Sequence, residues 1–240
     1  MARCYIGTSG WSYDSWVGQF YPEDLERSRW LDFYAERFNT VEINATFYRT
    51  PPEATFKAWA RRTPAGFLFA VKASRFLTHI KRLQVEQSSV DKLMQRARLL
   101  GERLGPILYQ LPPRWRCDPA RLEGFAALLP TDAVSAFEFR DPSWFDARVY
   151  DILGRHGLVF CIYHMPKQES PLVVTRAAVY LRFHGTSGPY HGAYGKELKP
   201  WAQRIKDWLG EGRDVYVYFN NTGTGEAVDD ALYLKELVEA

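Results

Sequence analysis

Cysteine is scarce in this chain. Cys4, Cys117 and Cys161 stand far apart with no CxxC spacing, which excludes a disulfide framework and a zinc knuckle. Cys4 and Cys161 fall inside apolar strand patterns and read as small buried hydrophobes rather than nucleophiles. Long apolar runs are absent. Nothing approaches the ~18 residues a membrane-spanning helix needs, and the start, MARCYIGTSGW, carries no apolar signal core. The expected location is cytoplasmic, with no membrane partner. An excess of one charge is lacking too. The net charge of +3 gives little electrostatic basis for a dedicated nucleic-acid binder. No linker, repeat or low-complexity tract interrupts residues 1–240, which read as one domain. Walker and dinucleotide fingerprints are missing, and Ser9 lies in TSGW rather than in GxSxG.

What the chain does have is a regular alternation. Strand patterns occur at Cys4–Gly7, Thr40–Asn44, Leu68–Lys72, Ile107–Gln110, Val134–Arg140, Val159–His164, Val179–His184 and Val215–Asn220. Helical periodicity fills most gaps, for example over Glu23–Phe38, where Trp30, Phe33, Tyr34 and Phe38 form one apolar stripe. Eight strands alternating with helices predict parallel βαβ units closed into a (βα)8 TIM-type barrel. Between His164 and Val179 the segment MPKQESPLVVTRAA holds two prolines, so the sixth helix is expected to be reduced or missing.

The strands share one habit. In SAFEFRDPSW, Phe137 and Phe139 lie on one face, and Ala136, Glu138 and Arg140 on the other. The same split puts Glu42 and Asn44 opposite Val41 and Ile43, and Arg182 and His184 opposite Leu181 and Phe183. It puts Asn220 with Tyr216 and Tyr218, Lys72 with Ala70, Gln110 with Leu108, and His164 with Ile162. A face that turns polar toward the strand end places these groups at the C-terminal mouth, where barrel active sites sit. Buried Glu–Arg pairs are poor stabilisers, so this many ionisable groups in one place read as a functional pocket.

The motifs YIGTSGWSYDSWVGQFYP, FNTVEINATFYRTP, FLFAVKASRFLTH, LGPILYQLPPRW, FEFRDPSW, YLRFHG and YFNNTGTGEAVDDA occur in this order from about Tyr5 to Ala231. Together they resemble the microbial family called domain of unknown function 72, or YecE-like. The resemblance implies a TIM-type barrel but no substrate. It marks as characteristic Gly7, Ser9, Gly10, Trp11, Glu42, Asn44, Phe47, Tyr48, Lys72, Thr78, His79, Gln110, Glu138, Arg140, Trp144, Arg182, His184, Gly185 and Asn220. His164 is a departure, because many members of the family carry an aspartate there.

Three chemistries fit these residues. In the first, a small phosphorylated or carboxylated, sugar-like substrate is clamped by Lys72, Arg140 and Arg182. Asn44, Gln110 and Asn220 orient it, Trp11, Tyr48 and Trp144 contact it, Glu138 or Glu42 is the base, and His184 or His79 the acid. The enzyme would be a hydrolase, lyase or isomerase without a cofactor. In the second, Glu42, Glu138, His164 and His184 bind Zn or Mn, as in sugar isomerases or apurinic endonucleases. In the third, KASRFLTHIKR, with Lys72, Arg75, Lys81 and Arg82 near Phe76 and His79, meets single-stranded nucleic acid. Two Gly-rich loops add candidate contacts: Gly185–Gly195 as a mobile cover, and NTGTGEA as an anion site at a helix N-terminus.

Overall fold

The computed structural model describes residues 1–188 and 190–240. Eight main strands are present: β1 (Cys4–Thr8), β2 (Thr40–Ile43), β3 (Leu68–Lys72), β4 (Leu104–Gln110), β5 (Ser135–Glu138), β6 (Val159–Met165), β8 (Ala178–Phe183) and β9 (Asp214–Phe219). A two-residue strand, β7 (Gln168–Glu169), folds back antiparallel on β6. The main strands pair in the order β1-β9-β8-β6-β5-β4-β3-β2, all parallel. The helices are α1 (Trp30–Ala35), α2 (Ala45–Tyr48), α3 (Glu53–Arg62), α4 (Gln87–Ala97), α5 (Pro119–Ala126), α6 (Ala147–Arg155), α7 (Leu198–Gly210) and α8 (Glu226–Glu239). The result is a nearly closed TIM-type barrel. Between β6 and β8 the described chain has β7 and coil but no helix, as the prolines require.

The pleat divides the core into two layers. Val41, Ile43, Phe69, Val71, Phe137, Phe139, Leu181, Phe183, Val217 and Phe219 pack outward under the helices. Tyr5, Ala70, Leu108, Ala136, Cys161, Tyr180, Tyr216 and Tyr218 fill the lumen. The floor of the barrel is thus a plug of tyrosines and small residues, and the polar groups lie above it.

The long helix expected over Glu23–Phe38 is cut down to a single turn at Arg27–Arg29 followed by α1. Carbonyls that would serve the missing turns are taken by side chains: Leu25 O accepts from the Trp30 indole at 3.2 Å, and Ser28 O from Arg62. The apolar stripe survives, since Trp30, Tyr34 and Phe38 are all buried.

Closure is made at the seam between β1 and β2, where backbone pairing is limited to a bridge between Ser9 and Glu42. Side chains complete it. The Asn39 amide accepts from Ile6 N–H (3.2 Å) and donates to Cys4 O (2.9 Å). The Tyr34 hydroxyl accepts from Thr8 N–H (2.9 Å) and donates to Thr40 O (3.1 Å). Gly7 lets the strands approach: a Cβ there would stand 2.1 Å from the Thr40 carbonyl oxygen. Buried backbone groups without partners cost about 1–3 kcal/mol each. Tyr34→Phe is therefore expected to lower unfolding free energy by about 1–3 kcal/mol, read from urea midpoints with far-UV dichroism unchanged. An unchanged midpoint would show that the seam does not depend on the phenol.

Candidate active site at the carboxyl mouth

Arg182 lies at the centre of the mouth, carried in by β8 with its side chain fully excluded from solvent. Its Nη2 donates to Glu42 Oε1 (2.7 Å) from β2, and its Nη1 to Glu138 Oε2 (2.6 Å) from β5. Glu42 is further held by Ser9 Oγ (2.8 Å) and Tyr180 Oη (2.6 Å). Glu138 Oε1 accepts from Arg140 Nε. The result is a chain of alternating charge across the barrel, Glu42–Arg182–Glu138–Arg140. Burial opposes ionisation of Glu138, but the guanidiniums of Arg140 and Arg182 outweigh it and hold the carboxyl well below the usual range. Burial, reinforced by Glu42, pushes the Tyr180 phenol well up, so it stays a donor.

Arg140 is the outer member, with 13 % of its side chain exposed. Its guanidinium lies over the Tyr163 ring at 4.9 Å and donates to Met165 Sδ and to His184 Nε2, both at 2.9 Å. His184 Nδ1 stands 2.9 Å from the Asn220 amide. With Nε2 accepting from Arg140, the ring proton sits on Nδ1, which requires the Asn220 amide, whose nitrogen faces Nδ1 in the structure, to be turned so that its oxygen accepts. Glu138 Oε1 is 3.7 Å from this ring, yet burial and Arg140 push the His184 pKa down to about 3. The imidazole is neutral at physiological pH. Beside it opens a pocket of about 350 Å³ lined by Arg140, Met165, Lys167, His184, Ser187 and Tyr190.

Lys72, at the end of β3, is different. Its ammonium lies 4.6 Å over the Phe47 ring, and no carboxylate oxygen among the described residues comes within 4 Å of it. Burial and the nearby Arg182 lower its pKa to about 8. His79, on a π-helical turn over Phe76–Ile80, packs edge-on to the same Phe47 at 4.9 Å, with Nδ1 2.9 Å from Thr78 Oγ1. Burial and Lys72 lower the His79 pKa as well. Asn44 Oδ1 is buried with no hydrogen-bond partner among the described residues. Gln110 Oε1 is 3.4 Å from Arg182 Nη1.

The family model described as "Protein of unknown function DUF72" matches residues 5–240. The chain belongs to the DUF72 family. It is 27 % identical over 273 residues to UPF0759 protein YunF of Bacillus subtilis strain 168, covering 98 % of this chain and 94 % of that protein. It is 31 % identical over 143 residues to UPF0759 protein YecE of Escherichia coli K12, covering 59 % of this chain and 50 % of that protein. A DUF72 protein from Thermotoga maritima superposes with a TM-score of 0.86 at 29 % identity, over 99 % of this chain and all of the other. A DUF72 protein from Enterococcus faecalis gives the same TM-score at 20 % identity, over 99 % and 96 %. That likeness bears on the fold alone.

Several expectations for this DUF72 barrel need correction. Arg182 is not free to clamp a substrate, because both terminal nitrogens are spent on Glu42 and Glu138. The ligand set Glu42, Glu138, His164 and His184 is not assembled. His164 follows Ile162 to the outward face, where Nδ1 meets Tyr194 Oη (2.8 Å) and Nε2 meets Glu169 (3.1 Å). Among the described residues no three His, Cys, Asp or Glu side chains are placed to share a metal. Trp144 is wholly buried, donates to Trp115 O (2.6 Å) and stacks on Phe139, with no surface open to a ligand. Trp11 packs edge-on to Trp59 and Phe69, while Tyr48 is 74 % exposed at the rim. The N-terminus of α8 is no open anion cradle, because Gln19 packs against Gly225 and Thr224 donates to Glu226 there. The loop after β8 is anchored at its far end, where Asp230 accepts from the N–H groups of Tyr194 and Gly195 at 3.0 Å. Pro189, inside that loop, lies outside the described residues.

Tyr180, Tyr163 and Met165 were not among the predicted site residues. Tyr180 had a signal, since it precedes Arg182 by two on the same strand face. Met165 had none.

Removing one member of a fully buried ion chain leaves an uncompensated charge and costs about 3–5 kcal/mol. Arg182→Met is expected to lose that much, with Glu42→Gln losing less because Ser9 and Tyr180 remain to bond it. Chemical denaturation at pH 7 measures the difference, and a near-neutral Arg182→Met would contradict the arrangement. The His184 pKa also sets a pH dependence. Its folded value of about 3 lies below the ordinary 6.5, so between these the unfolded chain binds more protons and stability falls as pH falls. The slope from this group approaches about 1.4 kcal/mol per pH unit. His184→Asn is expected to flatten the profile between pH 6.5 and 3; an unaltered profile would mean the ring is not held neutral.

Proposed function

We propose that this DUF72 protein is an enzyme acting on a small anionic, sugar-like substrate by proton transfer at the carboxyl mouth. One observation carries the reading. Two carboxylates, Glu42 and Glu138, balance two guanidiniums, Arg182 and Arg140, and Lys72 stands next to them with no carboxylate within 4 Å among the described residues. A half-buried cation left over in this way favours an incoming anion. Arg140, the outer end of the ion chain, lines the adjoining pocket, and its Nη1 meets only the weak acceptor Met165 Sδ, which leaves N–H capacity for a phosphate or carboxylate.

The proton-transfer groups follow from the same balance. Glu138 is a weak base because two guanidiniums hold it ionised, and it serves to position Arg140 and Arg182. His184, neutral and locked by Arg140 and Asn220, is an acceptor and positioning group. Lys72, its pKa lowered to about 8, is a group able to give and take protons near neutral pH, and His79, its pKa lowered by burial and Lys72, is biased toward the neutral, proton-accepting imidazole. Gln110 and the unpartnered Asn44 carbonyl would orient substrate hydroxyls. The three cysteines are free, which suits a cytoplasmic location, and among the described residues no helix is long and apolar enough to cross a membrane.

A thermal-shift panel of phosphorylated sugars and sugar acids tests the reading. A ligand at 100 times its Kd stabilises by about 2.7 kcal/mol, which for a chain of this size raises Tm by about 5–10 °C. The shift is expected to vanish in Arg140→Gln and to persist in the surface control Arg148→Gln. A shift indifferent to Arg140, or a panel without any binder, would overturn it.

A further inference from the structure

We infer that Lys72 is a nucleophilic amine that condenses with the carbonyl group of a ketone or aldehyde substrate, such as a 2-oxo acid or a ketose phosphate. The inference deepens the reading of the same mouth as an anion-binding active site and rests on it.

The argument starts from what surrounds the amine. A lysine becomes a nucleophile when desolvation and neighbouring cations disfavour its ammonium form. Lys72 meets both conditions by construction. It is partly buried at the end of β3. The Phe47 ring face 4.6 Å away favours the cation, but burial and the guanidiniums of Arg182 and Arg140 outweigh it, and Glu42 and Glu138 also face it from other strands. The two carboxylates that would otherwise hold it protonated are already committed. Glu42 accepts from Arg182, Ser9 and Tyr180, and Glu138 from Arg182 and Arg140. The ion chain thus denies the amine a direct carboxylate partner, and although Glu42 and Glu138 still raise its pKa, burial and the repulsion of the buried guanidinium outweigh them. With a pKa of about 8, about one Lys72 in five carries a free lone pair at pH 7.4, against about one in a thousand for an ordinary lysine.

The partners for the reaction are in place. His79 shares the Phe47 ring with Lys72 and its pKa is lowered, with Lys72 and Arg75 the charges responsible besides burial. The Asn44 carbonyl is buried and unpartnered on the neighbouring strand end. In the step itself the Lys72 lone pair forms a bond to the carbonyl carbon, and a proton passes from nitrogen to the oxygen. The carbon–oxygen bond of the resulting carbinolamine then breaks, water leaves with the second amine proton, and an imine remains. Hydrolysis returns both partners, so the step needs no oxidant or external reductant. Arg140 would take the anionic group of the same substrate.

Two arms test this on the intact protein. In the first, formaldehyde and cyanoborohydride are the probe, and peptide mass spectrometry follows each of the nine lysines across pH 6–10. Lys72 is expected to be methylated at least ten times faster than the median lysine at pH 7, with a midpoint near pH 8. A rate at or below the median would overturn the inference. In the second, pyruvate and dihydroxyacetone phosphate are offered with cyanoborohydride. A single stoichiometric adduct on Lys72, absent in Lys72→Met and reduced by Arg140→Gln, is the expected result. If anionic ligands shift Tm through Arg140 while neither arm labels Lys72, the nucleophile fails and the anion site stands. If they neither shift Tm nor label Lys72, both fail.

Discussion

Arg182 is the constraint on which the mouth of this barrel depends. A guanidinium with no solvent exposure must find anionic partners or cost several kcal/mol. It finds them on β2 and β5, on opposite sides of the lumen from β8. Those two bonds cross-brace strands that are not neighbours in the sheet. They also fix the orientation of both carboxylates, and through Glu138 that of Arg140. Arg140 in turn fixes His184, and His184 fixes Asn220. A single buried charge therefore sets the position of groups on four strand ends.

The same constraint explains why the reactive character we propose falls on Lys72, a residue outside the chain of ion pairs. Carboxylates bonded to guanidiniums make weak bases, and an imidazole wedged against a guanidinium does not take up a second proton at neutral pH. What remains is a partly buried amine, repelled by Arg182, near charges that are already balanced. The tyrosine floor beneath serves this arrangement by excluding water from the lumen, which strengthens every electrostatic term above it. At the seam, Tyr34 and Asn39 hold β1 against β2 and so bring Ser9 to Glu42, which links barrel closure to the site.

Much of this was legible in the residues. Alternation along SAFEFR, VYLRFH and DVYVYFNN is enough to place Glu138, Arg182, His184 and Asn220 on one face, because a strand has period two and a barrel has one inside. Prolines in MPKQESPL were enough to remove a helix. The reading failed where parity was right but the meaning of the face was not. His164 shares the face of Ile162, and that face looks outward to Tyr194. Trp144 failed for a related reason: the turn after β5 buries it against Phe139, where the Trp115 carbonyl accepts from its indole N–H, and nothing local in DPSW encodes that partner.

The sequence by itself determined the barrel, the polar ends of its strands and the cast of ionisable groups, because periodicity and side-chain chemistry are local properties. Only the tertiary structure decided which of those groups neutralise one another. Pairing energies depend on distance and burial, and Glu42, Glu138 and Arg182 lie 96 and 44 residues apart along the chain. Closure of the sheet brings them within 2.7 Å, and leaves Lys72 with no carboxylate within 4 Å among the described residues.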